Sequence, residues 1–473
     1  MPRYHQLYDV QSLYIGPSPS WTGHFISGSG IVNNAFDDLG SNNNLLKSLS
    51  RVQSASYSFN IEYTDIKQLG LRGQVYQPIV NSPQVTLSFD YINCSVLNEL
   101  RLGLNVNYAN DDDDTIYYSD NFGQSLISGL VDRQLIQPTG TPRWPLSTRD
   151  RRNLFIIVGD PNIDVNKSTY SVADPSCKSY DVYCFGDAYL TSYNTRGSVG
   201  AFPTSSVSFV CDNLELVGSG SGVQIPALNT QDRTYKNANR FVIPTNDQTG
   251  IISTFLPGDI NLSFYSIPKF TGILVMYGTG YIVGTQDSNI VDLTVDFSDI
   301  KVQSYEIGLD LPRNPLRALG YQLPVDKPIV FPIFATLSTS FIVGDNQTGR
   351  LVDLVDKNND YNVIITAKNP SFSTKAGVVG LQYDFKRAKL NSLSIDSNIG
   401  SSKIVNLGFT TELNPDNLTK GLFISGRLNI PGGEEASDYL LNKNDSSKIL
   451  ISNVNSDAIL IWTFTTGEQF IMF

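Results

Sequence analysis

An internal repeat constrains this chain more than any other feature. Val52-Gln53-Ser54 and Leu69-Gly70 return 250 positions later as Val302-Gln303-Ser304 and Leu319-Gly320. The same offset carries Gln77-Pro78-Ile79-Val80 onto Lys327-Pro328-Ile329-Val330, and Thr86-Leu87-Ser88 onto Thr336-Leu337-Ser338. Further along the offset becomes 200: Ala188, Leu190 and Ser192 meet Ala388, Leu390 and Ser392, Val199-Gly200 meets Ile399-Gly400, and Phe209 meets Phe409. Ordered matches with a single change of offset indicate a duplicated module whose first copy carries about 50 extra residues. A chain with such a repeat folds as two similar units.

Each unit is expected to be built from strands. Apolar side chains alternate with polar ones at Ala55-Tyr57-Phe59-Ile61-Tyr63 and Val85-Leu87-Phe89-Tyr91, and again at Tyr305-Ile307-Leu309-Leu311 and Ile333-Ala335-Leu337. Period-2 patterning of this kind marks half-buried strands. Further strands are predicted at 154–158, 188–193 and 207–210, with 362–367, 390–395 and 404–410 in the second copy. Ser95–Leu102 is predicted as one short helix, with a counterpart at Gly349–Val355. The fold class is all-β or β-rich α+β: two duplicated β modules, each a sheet with one short helix.

The organisation follows from the repeat and from composition. Residues 1–45 form an N-terminal arm rich in Gly, Ser and Asn. The first module spans 46–222, with the insertion near 105–152 and a flexible joint at Gly218-Ser219-Gly220-Ser221-Gly222. A β-rich segment, 223–296, connects it to the second module at 297–425, and 426–473 holds C-terminal strands.

Charge and chemistry narrow the function. Only 17% of the residues are charged, and the net charge is −11, the wrong sign for gripping phosphates. A sparsely charged surface of Ser, Thr, Asn and Gln suits burial in an assembly. No apolar run reaches signal-peptide or membrane-spanning length, so a cytoplasmic, non-membrane protein is expected.

Catalytic constellations are missing from the sequence. Its two histidines, His5 and His24, fall in the N-terminal arm, which argues against His-based triads and multi-His metal sites. Cys94, Cys177, Cys184 and Cys211 are too few for a disulfide framework and are expected as reduced, packed thiols. Gly278-Thr279-Gly280 with Gly284 has the wrong spacing for a dinucleotide loop and is followed by a β-like stretch. Asp160–Asn166 begins like a calcium loop, yet Val165 stands where glycine is needed and Ser171 where a bidentate Glu belongs. Asp111–Asp114 reads as a solvated loop. No catalytic, cofactor-binding or metal-binding residue is nominated, and the chain is expected not to be an enzyme.

With the duplicated strands in view, the chain resembles the major tail tube proteins of long-tailed bacteriophages, particularly the type with two fused tube modules. The stretches VQSASYSFNIEYTDIKQLG, QVTLSFDY, NCSVLNELRLGL and GDAYLTSYNTRGSVGAFPTSSVSF, with their second-copy partners, carry the resemblance over about three-quarters of the chain. The resemblance implies a structural virion protein assembled in the host cytoplasm. Each module would add a small sheet to a continuous β-barrel, and three chains would form a pseudo-sixfold ring. Rings would stack through the loops Gly70–Pro83 and Gly320–Pro332, which keep one length in both copies. Tape-measure protein and then DNA would occupy the lumen without sequence-specific binding. Tail terminator and tail-tip or baseplate proteins would meet the tube ends. An acidic wall would let DNA slide. The alternative is another non-catalytic virion protein: a baseplate component, an adhesin or a capsid-decorating protein.

Overall fold

A computed structural model of the chain describes residues 11–17, 47–79, 83–109, 126–130, 152–159, 180–219, 254–267, 301–319, 323–324, 326–342, 360–369, 379–396, 404–414 and 419–427, together with four short strand pairs elsewhere. Strands make up 71% and helices 4% of the described residues, so the β-rich class expected from alternation is the class observed.

The first half contributes β1 (Gln11–Pro17), β2 (Val52–Asn60), β3 (Gln84–Ile92), α1 (Leu97–Arg101), β4 (Val106–Ala109), β5 (Arg152–Val158), β6 (Tyr180–Ser198), β7 (Ala201–Cys211) and β8 (Asn213–Ser219). The second contributes β9 (Ile260–Ile267), β10 (Lys301–Asp310), β11 (Ile333–Ile342), β12 (Asp360–Lys368), β13 (Val379–Asp396), β14 (Ile404–Leu413) and β15 (Gly421–Arg427). Eight of these strands form one antiparallel run, in the order β2-β3-β7-β6-β10-β11-β14-β13. The two halves therefore lie side by side, joined where β6 pairs with β10.

Register shows the duplication at the level of single hydrogen-bonded pairs. Val52 opposes Tyr91 and Val302 opposes Phe341, each followed by a bulge before Ser54 or Ser304. Leu190 opposes Phe209 and Leu390 opposes Phe409, each with a bulge before Ser192 or Ser392. Behind the long run, β1-β5-β6-β8 and β9-β12-β13-β15 repeat the same antiparallel pairings. The offset is 250 between β3 and β11, 209 between β5 and β12 (Leu154 and Val363, opposite Phe185 and Phe385), and 200 between β6 and β13. Of the 50 extra residues, 41 thus precede β5 and nine follow it.

The long strands β6 and β13 serve both layers because each bends at one residue. Asp187 and Arg387 adopt φ values of 45° and 52°, in the left-handed region. Asn153 Oδ1 accepts the Asp187 N–H at 3.1 Å, and Asn362 Oδ1 accepts the Arg387 N–H at 2.9 Å. A side-chain acceptor thus replaces the ladder partner lost at the kink. Between the layers lies the core: Val85, Leu87 and Phe89 of β3, Val207 and Phe209 of β7, Ile307 and Leu309 of β10, and Leu337 of β11. Phe89 stacks on Phe209 with ring centroids 6.0 Å apart. Burying each such side chain stabilises the fold by about 1.5–3 kcal/mol, which the alternation delivers to one face only.

Three details differ from the sequence reading. The helix predicted over 95–102 is shorter; Ser95 Oγ accepts the Leu97 N–H at 3.3 Å at its start, and Gly103, at φ 90°, ends it. Gly218 and Ser219 are the last residues of β8, paired with Asp181 and Tyr180, because β6 extends far enough to hold them. β1 and β9 lie in the N-terminal arm and in the connecting segment, and pair equivalently with β5 and β12. The counterpart helix expected at 349–355 lies outside the described residues, as does most of the connecting segment 223–296 and of the C-terminal stretch 426–473 where strands are expected.

The first half also reaches across to the second. β4, from the beginning of the excursion, pairs parallel with β15, Val106 opposite Ile424. Arg427 O accepts the Val96 N–H at 3.3 Å. Gly426 permits this approach: a Cβ there would lie 2.3 Å from Gly380 O and 2.5 Å from Val96 Cγ1.

Candidate functional site: an open polar face and two projecting hairpins

The outer face of the eight-stranded run is built by the polar half of each alternation. Ser54, Ser56 and Ser58 lie on β2, Thr86, Ser88 and Asp90 on β3, Thr204, Ser206 and Ser208 on β7, and Ser192, Asn194 and Arg196 on β6. Hydroxyls bridge neighbouring strands: Ser58 to Thr86 at 2.7 Å, Ser88 to Ser208 at 2.9 Å and Ser304 to Ser340 at 2.7 Å. Asp90 accepts hydrogen bonds from Ser54 Oγ at 2.9 Å and from Ser206 Oγ. In the second half, Asn406 Nδ2 donates to Ser394 Oγ and Asp396 Oδ2. Among the described residues the face carries Asp90, Glu306, Asp310, Asp396 and Glu412 against Arg196 and Lys389, so it is weakly acidic and mostly hydroxyl-bearing.

Both ends of this run are open. Neither Ser54–Asn60 on the outer edge of β2 nor Ser392–Asp396 on the outer edge of β13 has a strand partner among the described residues. Unpaired edges of this length are templates for another chain.

From β2 and its counterpart β10 project two hairpins of matched geometry. Tyr63 bridges Ile79 as Arg313 bridges Ile329, and Ile66 opposes Tyr76 as Leu316 opposes Asp326. Pro78 O accepts the Thr64 N–H at 3.0 Å, and Pro328 O the Asn314 N–H at 3.1 Å. Leu69 and Leu319, the repeated leucines of the sequence, stand fully exposed on the two hairpins. Ile66, Leu71, Val75 and Tyr76 beside Leu69 are exposed as well, so the first hairpin carries several apolar side chains into water.

Where the halves meet, a buried polar cluster ties α1 to both sheets. Glu99 Oε1 accepts hydrogen bonds from Tyr91 at 2.8 Å and Tyr193 at 3.1 Å, and the Tyr193 and Tyr383 hydroxyls lie 3.0 Å apart. Tyr383 donates to Thr195 Oγ1 at 3.5 Å, which also accepts from Asn93 Nδ2 at 3.0 Å. Burial pushes the Glu99 carboxyl up from 4.5 to about 7, against the lowering effect of the tyrosine and backbone donors. Sequence reading placed Glu99 on the helix but missed its role. A carboxylate on a helix flanked by Val96, Leu97 and Leu102 was the available signal.

A pH prediction follows. A carboxyl raised in the folded state takes up a proton on folding, so its stabilising effect is complete below about pH 4.5 and is lost as pH rises through about 7. Glu99→Gln keeps an acceptor for the two tyrosines and cannot ionise. The stability difference between wild type and this variant is expected to change by roughly 3 kcal/mol between pH 4.5 and 8, in favour of the variant at high pH. Denaturant melts across that range check it; parallel pH profiles would contradict it.

Among the described residues the motifs singled out in the sequence are not brought together. His5, His24, Asp111–Asp114, Asp160–Asn166 and Cys177 lie outside the described residues. Cys94, Cys184 and Cys211 are buried free thiols with raised pKa values, chiefly from burial. Met276–Tyr277 and Tyr281–Ile282 pair antiparallel, and the glycines of 278–284 lie outside the described residues. Among the described residues no group of three or more His, Cys, Asp or Glu is arranged to hold a metal ion. No described helix is long and apolar enough to cross a membrane. No protein-family model matches the chain, and a search of curated proteins finds no matching sequence.

Proposed function

We propose that this is a structural, self-assembling protein whose copies join side by side into rings and stack into a tube, the tail tube of a long-tailed bacteriophage. The observation that carries the reading is the eight-stranded run itself. Two equivalent halves are already joined edge to edge, with both outer edges open among the described residues and the polar faces continuous. Repeating the same step would close a barrel with the hydroxyl-rich, weakly acidic face lining the bore. Such a wall would neither grip nucleic-acid phosphates nor offer them cations, as a conduit for tape-measure protein and DNA requires. The fully exposed Leu69 and Leu319 would serve contacts between rings. Terminator and tail-tip or baseplate proteins are the expected partners at the tube ends, and the virion tail the expected location.

Three chains of two modules each are expected per ring. Native mass measurement of the purified protein, with class averages from negative-stain microscopy, tests this. Trimeric rings with a central bore support the reading. A strictly monomeric protein at assembly concentrations, or rings of six whole chains, would overturn it.

A further inference from the structure

Resting on the reading that copies join side by side, we propose that the junction between copies reproduces the junction between the halves of one chain. Ser392–Asp396 of one copy pairs antiparallel with Ser56–Asn60 of a second, in the register Ser392 to Asn60, Ser394 to Ser58 and Asp396 to Ser56. The second copy's first hairpin docks on Lys389, Leu390 and Glu412 of the first.

The register is read from β6 and β10, where Ser192 opposes Asp310, Asn194 opposes Gly308 and Arg196 opposes Glu306. Moving the first member forward by 200 and the second back by 250 gives the pairs above. The chemistry at those positions is compatible with pairing. Tyr193, Ile307 and Leu309 are buried at the internal junction. Their counterparts Leu393, Tyr57 and Phe59, with Ile395, are apolar yet 37–61% exposed. No like charges meet across the paired positions, since Asp396 faces Ser56. A one-residue slip would turn the apolar set into the polar face, so the two-residue period excludes odd shifts.

Among the described residues, two further features of the first half lack a partner that the second half already has. Ile424 on β15 is covered by β4 and is 1% exposed, whereas its equivalent Leu216 on β8 is 63% exposed. The second hairpin is already seated on the first half. Arg313 donates to Leu190 O at 2.9 and 3.0 Å, Lys327 pairs with Asp212 at 2.5 Å, and both cations lie over the Tyr189 ring at 5.3 and 5.4 Å. In the first hairpin the equivalent of Arg313 is Tyr63, which is exposed, and the equivalent of Tyr189 is Lys389. Cation and ring have changed places, so the same pair can form between copies with the roles reversed. Glu412 likewise stands where Asp212 does, facing the position of Gln77.

Cysteine pairs in the full-length chain test the register. Ser394→Cys with Ser58→Cys is expected to give disulfide-linked multimers on mild oxidation. Ser394→Cys with Ser54→Cys, displaced by four residues or roughly 13 Å along the strand, is expected to give none. For the docking contact, Tyr63→Arg and Lys389→Tyr should each weaken association roughly twofold to thirtyfold per junction, and the double exchange should restore it. Equal linking by both cysteine pairs, or no restoration by the double exchange, overturns the proposed junction. If rings form but the Ser58 pair stays unlinked, the register is wrong while the assembly reading stands. Absence of any multimer in native mass measurements removes both.

Discussion

Exchanging Leu69, Leu71 and Leu319 for serine is expected to leave the fold and the rings intact and to abolish growth of rings into tubes. These leucines are exposed in the single chain, so removing them takes nothing from the core. In a stack they would meet an apolar surface on the next ring, where burial of each leucine is worth about 1.5–3 kcal/mol. The proposed trimeric ring would present all three positions three times, so the loss at one ring-to-ring contact would exceed what a marginal polymer withstands. Thermal unfolding at an unchanged temperature, rings of unchanged mass and no tubes by microscopy are the expected results. Tubes elongating at the wild-type rate would place the stacking surface elsewhere, most directly in the N-terminal arm or the excursion after β4.

How much of this was legible in the sequence depended on whether local pattern or remote partner set the structure. The strands of the polar face were legible because one side of each is wet and the other packed, which writes a two-residue period into Val85–Tyr91 and Tyr305–Leu311. The hairpins were visible as a conserved spacing, since a bridge such as Tyr63 to Ile79 constrains length while leaving sequence free. β5 is buried on every residue, so Leu154–Val158 shows an apolar run with no alternation and no face to assign. The equivalence of β1 and β9 was invisible, because SLYIG and NLSFY share strand character but only one aligned residue, Leu13 with Leu262. Pairing of β4 with β15 depends on contacts across more than 90 positions of sequence, and nothing local announces it; the Glu99 cluster has one local signal, a carboxylate among apolar helix neighbours, while its partner Tyr193 lies 94 positions away.

Leu393→Lys is expected to block ring closure, whereas Ser394→Lys, one residue away, is expected to permit it. The two positions lie on opposite faces of the same edge strand, and neither contributes to the buried core of the isolated chain. At the proposed junction Leu393 turns inward against Phe59 of the second copy, where an ammonium would lose its water without gaining a partner. Such burial costs several kcal/mol at each of three junctions. The hydroxyl of Ser394 instead points to the polar face beside Asn406 and Asp396, where a lysine stays solvated and has an acid nearby. Both variants should unfold at the wild-type temperature, which separates an assembly defect from a folding defect. Native mass spectra should then show monomers for Leu393→Lys and trimers for Ser394→Lys. If the serine position proves the intolerant one, the inward and outward faces have been exchanged, and the hydroxyl-rich surface is buried between copies instead of lining a bore.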